Sequence, residues 1–384
     1  MNIETMLSGL RRLLPLAAIG LALGACSPGD TFERDVEEYL RRFPYQDTYN
    51  YAMRYTEADP AKFNVWVLGA EPSLTKAGED KVVRMNNDTY YKMAFVLLGD
   101  GPVVLTSAAP TEGRFYSFQL MDDRNVNYRN VIRPSGTYTL YHGDVPHQVE
   151  GEAIEVPSVL SVVIVRVEVK DKNDPADTEA AQRVFNGITI SGPQVSAIPE
   201  VDLLSGFGDA VREEATRRMD SVMVTVPFTE TVVGPGQEPG RDVPFLYHAA
   251  GTKDGWGGPS PTHSAYQGMY TDATGATLNG ANGTYTLTTA APPVDAFWSV
   301  TVYDTDRGGY FHPNPDDRYH INNTTAVANA DGTYTFVFQP TCGSDDQNCL
   351  AVPEGPFDVF ARYYLPGDEI VSGRWTMPHP TLQR

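Results

Sequence analysis

The chain has 384 residues, a formal net charge of −20 and 41% hydrophobic residues. An acidic balance of this size leaves no basic patch for nucleic acid or an anionic membrane face, so neither is an expected partner. The length is enough for two domains, each with its own core.

At the start of the chain, Arg11 and Arg12 precede an apolar run from Leu13 to Ala25. The run has the length of a signal-peptide core and falls short of the ~20 residues that span a bilayer. It ends in Leu23-Gly24-Ala25-Cys26, which resembles the bacterial lipobox, where small residues let a peptidase bind the extended backbone closely. The expectation is an exported lipoprotein cut before Cys26 and anchored to the lipid bilayer by acyl chains (palmitate among them) on that cysteine, each buried methylene contributing ~0.8 kcal/mol. Ser27 follows the cysteine, which points to the outer membrane, facing the periplasm or the cell surface, in an organism with two membranes. Removal of residues 1–25 takes away Glu4, Arg11 and Arg12, a net +1, so −20 becomes −21.

Beyond a short tether, Phe32, Val36, Leu40 and Phe43 recur at helical spacing, with Asp30 and Glu33 placed as a capping pair and Pro44 as the stop. A second amphipathic stretch runs over 48–56. From Asn64 onward, short β-branched and aromatic runs separated by Gly, Pro and Asp predict strands at 65–67, 90–98, 103–106, 114–121, 136–141 and 159–169. The run at 160–165 is apolar on both faces and reads as a central strand. Asp177 is placed to cap a helix through Phe185, and Leu203, Leu204, Phe207, Val211, Ala215 and Met219 mark another. Strands return at 265–270, 283–288, 296–303, 318–322, 332–339, 357–364 and 370–377. No internal repeat stands out. The pattern predicts a mainly β protein of two antiparallel β-sandwich-like domains with connecting α-helices. Its divisions are a signal peptide (1–25), tether and helices (26–60), an N-terminal β domain (61–198), a helical and loop connector (199–260) and a C-terminal β domain (261–384).

Cys342 and Cys349 flank a turn-rich segment between two strand-like runs, where a hairpin loop brings its ends within the ~5.5 Å Cα separation of a bridge. In an oxidising compartment a disulfide is expected there rather than a metal site, since no further Cys or paired His lies nearby in sequence.

Several stretches then recur in a known order: Arg84-Met85-Asn86-Asn87-Asp88-Thr89-Tyr90-Tyr91, Gly101-Pro102-Val103-Val104-Leu105, Arg114-Phe115-Tyr116-Ser117-Phe118-Gln119-Leu120-Met121-Asp122, Phe297-Trp298-Ser299-Val300-Thr301-Val302-Tyr303-Asp304, and 348–357 closing on Arg362-Tyr363-Tyr364. Together they resemble the bacterial family that joins domain of unknown function 1254, here over roughly 60–195, to domain of unknown function 1214, over roughly 265–378. The resemblance implies two β-rich domains with helices between them and implies no activity.

Candidate chemistry is sparse. Asn87-Asp88-Thr89 enters a strand, either as an Asx-turn or with Asp88 as an acid/base or ligand anchor. Alternation puts Ser117 and Gln119 on one strand face, with Asp122 at its end and Tyr91 on an earlier strand. Trp256 lies between glycines, as a stacking platform for a sugar or as a plug at the domain junction. Tyr303 and Arg362 come from the second domain, and Arg362 suits either a carboxylate of the first domain or an anionic ligand. No Gly-x-Ser-x-Gly, His-Glu-x-x-His or phosphate loop is present, and Asp304-Thr305-Asp306-Arg307-Gly308 reads as a β-turn rather than a calcium loop. No cofactor or metal is expected. Three functions fit these features. One is an envelope lipoprotein binding a glycan or small amphipathic ligand between its domains. The second is a polysaccharide hydrolase or lyase with Asp88 and Asp122 as paired carboxylates. The third is a structural or assembly component.

Overall fold

The computed structural model describes residues 28–79, 83–108, 113–343 and 346–383. Cys26 and the apolar run before it lie outside these residues. Helix α1 (Pro28–Thr56) leads into a first set of strands: β1 (Thr89–Leu97), β2 (Val103–Ser107), β3 (Tyr116–Asp122), β4 (Asn127–Ile132), β5 (Gly136–Tyr141), β6 (Glu152–Glu155) and β7 (Leu160–Glu168). Helix α2 (Pro175–Asn186) and β8 (Thr189–Ser191) complete the first β domain. After α3 (Asp209–Thr225) and α4 (Phe245–Gly255) come β9 (Ser264–Met269), β10 (Tyr285–Thr289), β11 (Trp298–Asp304), β12 (His320–Asn322), β13 (Tyr334–Gln339), β14 (Cys349–Ala351) and β15 (Phe357–Tyr364). The chain closes with the one-turn α5 (Asp368–Val371) and β16 (Thr381–Leu382).

Each β domain is a sandwich of two four-stranded sheets. The first stacks β1-β7-β3-β4 on β6-β5-β2-β8, and the second stacks β12-β11-β15-β9 on β14-β13-β10-β16. Alternation decides which side chains enter each core. Val163, Val165 and Val167 of β7 point between the sheets with Phe118, Leu120, Leu105 and Leu140. Val300, Val302, Val359 and Ala361 do the same beside Leu287, Phe336 and Phe338 in the second domain. Each such fully buried side chain contributes roughly 1.5–3 kcal/mol. β7 is central, between β1 and β3, and every one of its residues is buried.

The two sandwiches are the same fold twice. Listing β1 to β8 against β9 to β16 in chain order maps each sheet onto its counterpart, neighbour for neighbour. Even the exceptional pairing recurs: β5 with β6 and β13 with β14 are parallel, whereas the other ladders are antiparallel. The expectation of no internal repeat is thereby corrected. With the strands aligned, Leu105-Thr106, Phe115, Ser117 and Asp122 fall on Leu287-Thr288, Phe297, Ser299 and Asp304, and the cross-strand partners Thr137 and Tyr138 fall on Thr335 and Phe336. The loops between these blocks differ in length, so no constant period runs through the chain.

Other sequence readings change as well. Pro44 does not stop a helix: α1 runs on through it, because its first half packs Val36, Tyr39 and Leu40 on α3 and α4, and its second half lays Ala52, Tyr51 and Tyr55 on the first sheet. Asp30 and Glu33 therefore sit inside the helix, and Glu33 pairs with Arg218 of α3 at 2.9 Å. Asp174, not Asp177, caps α2, with its side chain accepting from the Ala176 amide. The stretch at 65–67 is a loop, with the Val67 amide on the Met93 carbonyl and an isolated bridge from Leu68 to Met93 just beyond it, and 370–377 is a helical turn and coil rather than a strand. The connector at 199–260 is a packed body: α3 and α4 share a core with the start of α1. The disulfide joins Cys342 to Cys349 with Cα atoms 5.9 Å apart, yet its loop is no hairpin, since β13 and β14 run parallel.

A proline inside a helix removes one hydrogen bond and crowds the preceding turn. Pro44→Ala should therefore raise the denaturant midpoint of the protein, by about 1–2 kcal/mol in unfolding free energy. A lowered midpoint would show that the bend itself is needed to dock both halves of α1.

Candidate binding site at the domain interface

The sheet faces that do not enter the sandwich cores face each other across the two domains. On the first, β1, β7 and β3 align Tyr91, Arg166 and Ser117 in one cross-strand row. On the second, β9, β15 and β11 align Tyr266, Arg362 and Ser299 in the equivalent row. One step along, Gln119 and Thr301 occupy matching places, and each accepts from Nη1 of its own arginine: Arg166 bonds Gln119 Oε1, and Arg362 bonds Thr301 Oγ1 at 3.0 Å.

The rows are sewn together reciprocally. The residue three before Tyr91 is Asp88, and its Oδ2 accepts from Ser299 Oγ of the second domain at 2.7 Å. The residue three before Tyr266 is His263, and its Nε2 lies 2.9 Å from Ser117 Oγ of the first. The backbone repeats the match, with the Val169 amide on Asp88 O at 2.9 Å and the Leu365 amide on His263 O at 3.0 Å. Phe115 and Phe297, equivalent in the two repeats, meet at the centre with ring centroids 5.8 Å apart. The domains thus face each other about a pseudo-two-fold, as in an isologous interface.

The two halves differ in electrostatics. Asp88 is fully buried, accepts a second bond from the Tyr364 hydroxyl at 3.2 Å, and has His320 Nε2 3.6 Å from its Oδ1. Burial, against the pull of Asp88, lowers the His320 pKa and keeps that ring neutral. Burial also works against the charge on Arg362, but the Tyr303 hydroxyl and the Asp88 carboxylate more than offset it and the pKa rises. Arg362 further donates from Nη2 to Tyr303 Oη at 2.6 Å and to the Arg84 carbonyl at 2.8 Å, while its Nε has no partner. The Tyr303 phenol, raised to about 12 chiefly by burial, stays neutral and donates to the Met85 carbonyl at 2.5 Å.

Arg166 has no such carboxylate. It is 3% exposed, and besides Gln119 it touches Tyr91 Oη at 3.3 Å from Nε. Burial opposes its charge, but Tyr91, Tyr266 and Tyr364 more than offset it and the pKa rises. His263 beside it is pushed down to about 3, first by burial and then by the Arg166 charge, so it is neutral. Its Nδ1 has no partner. Tyr91 and Tyr266 are half-buried, whereas Arg166, Arg362, Asp88 and Tyr364 are sealed, so of this centre the tyrosines are the more exposed part.

Of the residues singled out from sequence, Asp88, Tyr91, Gln119, Tyr303 and Arg362 belong to this centre. Asn87 is buried next to it with Oδ1 unpartnered. Asp122 is elsewhere: it caps a turn, with Oδ1 accepting from the amides of Arg124 at 2.9 Å and Val126 at 3.0 Å, and Oδ2 from the Arg124 side chain at 2.8 Å. Asp88 and Asp122 stand beside opposite ends of β7, roughly 26 Å apart at ~3.3 Å per residue. They cannot act as one acid/base pair. Trp256 is a plug, stacked on Tyr51 at 4.3 Å with Nε1 donating to Thr48 Oγ1 at 3.1 Å. Among the described residues no group of three His, Cys, Asp or Glu is placed to hold a metal ion. Sequence reasoning missed Arg166, Tyr266, His263, Ser299 and Tyr364. The available signal was a lone arginine in an otherwise apolar strand, repeated at Arg362.

Two family models match the chain: protein of unknown function (DUF1254) over residues 67–191 and protein of unknown function (DUF1214) over residues 263–368. The chain belongs to the family that pairs these two domains. Each match covers one of the two repeats. The VPA0106 protein from Vibrio parahaemolyticus has a similar structure, with a TM-score of 0.75 at 20% identity over 92% of this chain and 100% of its own. An uncharacterised protein from Burkholderia cenocepacia aligns with a TM-score of 0.47 at 15% identity over 92% of this chain and 93% of its own. No functionally curated protein matches the sequence.

His263 gives the centre a pH signature. Its folded pKa of about 3 lies below the ordinary value of 6.5, so the unfolded chain binds the extra proton between those values. The stability it contributes is complete above pH 6.5 and is lost as pH falls toward 3. Asp47 and Asp123, both raised to about 6 chiefly by burial, act in the opposite sense between about pH 4 and 6. The test is therefore a difference. The stability advantage of the native protein over His263→Gln should shrink by up to about 1.4 kcal/mol per pH unit below 6.5, measured by denaturant titration from pH 7 to 4.5. A constant difference would mean that His263 titrates in the fold as it does in the unfolded chain.

Proposed function

We propose that the protein is a lipid-anchored protein of the cell envelope that binds a small polar ligand, of the size of one or two sugar units, where its two β domains meet. One observation carries the binding reading: the equivalent tyrosines Tyr91 and Tyr266 are half-buried above two sealed arginines, Arg166 and Arg362. Aromatic faces over fixed donors suit a sugar, which offers apolar ring faces and hydroxyls together. The guanidiniums lie over or under these rings, Arg166 5.2 Å from the Tyr91 centroid and Arg362 5.4 Å from that of Tyr266. For the anchor, the support is the apolar run ending at Cys26, together with a disulfide that suits an oxidising compartment. Among the described residues no helix is long and apolar enough to cross a membrane, so acylation of Cys26 is the attachment proposed.

Screening the full chain in detergent against envelope and plant or algal glycans by thermal shift should yield a ligand. Tyr91→Ala and Tyr266→Ala should each weaken its binding about tenfold or more, while Trp256→Ala lowers stability and leaves affinity within about twofold. Ligand binding indifferent to both tyrosines would move the site elsewhere. Metabolic labelling with a fatty acid should mark the native chain and leave Cys26→Ser unlabelled; a native chain without label would refute lipid anchoring at that residue.

A further inference from the structure

The two halves of the interface are built alike, but only one holds a carboxylate. In the half centred on Arg362, Asp88 occupies the position before the tyrosine strand, accepts from Ser299 and supplies the negative charge felt by the guanidinium. In the half centred on Arg166, the same position is His263, a neutral ring set against Ser117. Among the described residues no carboxylate lies within ion-pair distance of Arg166, whose side chain rests on Gln119 and Tyr91. A sealed cation without a counter-charge is costly, since desolvating an ion takes several kcal/mol that an opposite charge must offset. His263 Nδ1 beside it is buried and unpartnered, a polar atom awaiting a neighbour.

We propose that the ligand of this centre carries a carboxylate, and that this group binds between Arg166, His263 and the half-buried tyrosines, taking in the first half the part that Asp88 plays in the second. The inference rests on the ligand-site reading above and narrows it to acidic small molecules, of which a sugar acid is the natural member. The carboxylate accepts from the guanidinium and the phenols, and the neutral His263 donates to it through Nδ1. No bond is made or broken.

The test uses the full chain in detergent at fixed ionic strength, with chloride as reference and three probes: acetate, D-galacturonate and D-galactose. Acetate and galacturonate should each raise the unfolding midpoint by about 3 °C at saturation, and galactose should not. Arg166→Gln should abolish both shifts. His263→Asp supplies the missing carboxylate from within, so it should raise the midpoint of the protein without any probe and remove the response to acetate. Arg129→Gln, at an exposed surface pair with Glu152, serves as the control and should respond like the native chain. If galactose stabilises as well as galacturonate and Arg166→Gln responds normally, the carboxylate assignment falls while the ligand site stands. If none of the three probes acts and His263→Asp lowers the midpoint, the interface is a closed structural joint and both readings fall.

Discussion

The constraint on which the rest of the structure depends is a guanidinium in the middle of a sheet. Arg166 and Arg362 sit on β7 and β15, each flanked by hydrogen-bonded neighbours on both sides, so their side chains can only rise from a face that is then covered. An arginine cannot lose its charge there. Every acceptor it finds must come from its own sheet or from whatever covers that sheet. Arg166 uses its own repeat, through Gln119 and Tyr91. Arg362 reaches across, to the Arg84 carbonyl, and rests electrostatically on Asp88. Neither sandwich is complete alone, because each leaves a polar row that only the other repeat buries. The Arg84 to Asp358 ion pair, at 2.6 Å, closes the same seam at its edge.

Only part of each face is polar, and the two repeats cover the apolar remainder differently. In the first, Met93, Phe95, Met121, Val162 and Ile164 lie under the second half of α1 and under Trp256. In the second, Tyr303 and Phe360 are covered by Phe311, Tyr319 and residues of the first domain, Ala77 and Met85. A helix replaces a loop as the lid, and the helix belongs to the segment that leads from Cys26. Gly257, with φ +77°, lets the chain pass close over Ile164 and brings its carbonyl to Gln119 at 3.1 Å. Gln119 is thereby held from both sides and presents Oε1 to Arg166 in one fixed orientation.

What was legible in the sequence follows from how local each signal is. Runs with period-two burial or complete burial, such as 103–106 and 160–165, appear where the apolar pattern places them, since side-chain period and sheet face are one fact. The short strands β6, β8, β14 and β16 were not legible, because two to four residues carry no period and their pairing is decided by partners far along the chain. Pro44 misled for a related reason: its local cost was outweighed by packing on two separate cores. In the site, Asp88 and Arg362 could be picked out as polar residues in strand-rich surroundings. Their meeting through Ser299, and the matching of His263 with Ser117, depend on a pseudo-symmetry that unequal loops conceal.

Pseudo-symmetry also makes the differences between the halves informative. Where two copies of a fold bury equivalent faces against each other, the cheapest arrangement puts the same side chains at equivalent places, as the tyrosines, arginines and serines of the two rows do. A departure inside such a pattern marks a place where the two halves differ in chemistry. The exchange of Asp88 for His263 is a departure of this kind, and it replaces a carboxylate with a larger, neutral ring. It leaves Arg362 in the field of a carboxylate of the other repeat and Arg166 beside a neutral ring, with tyrosines next to both. If rigidity were the sole requirement, the balanced arrangement would serve in both halves, since satisfied buried charges fix a unique packing and unsatisfied ones weaken it. The half without a carboxylate, with half-buried tyrosines above it, is the one in which the proposed ligand would supply that group.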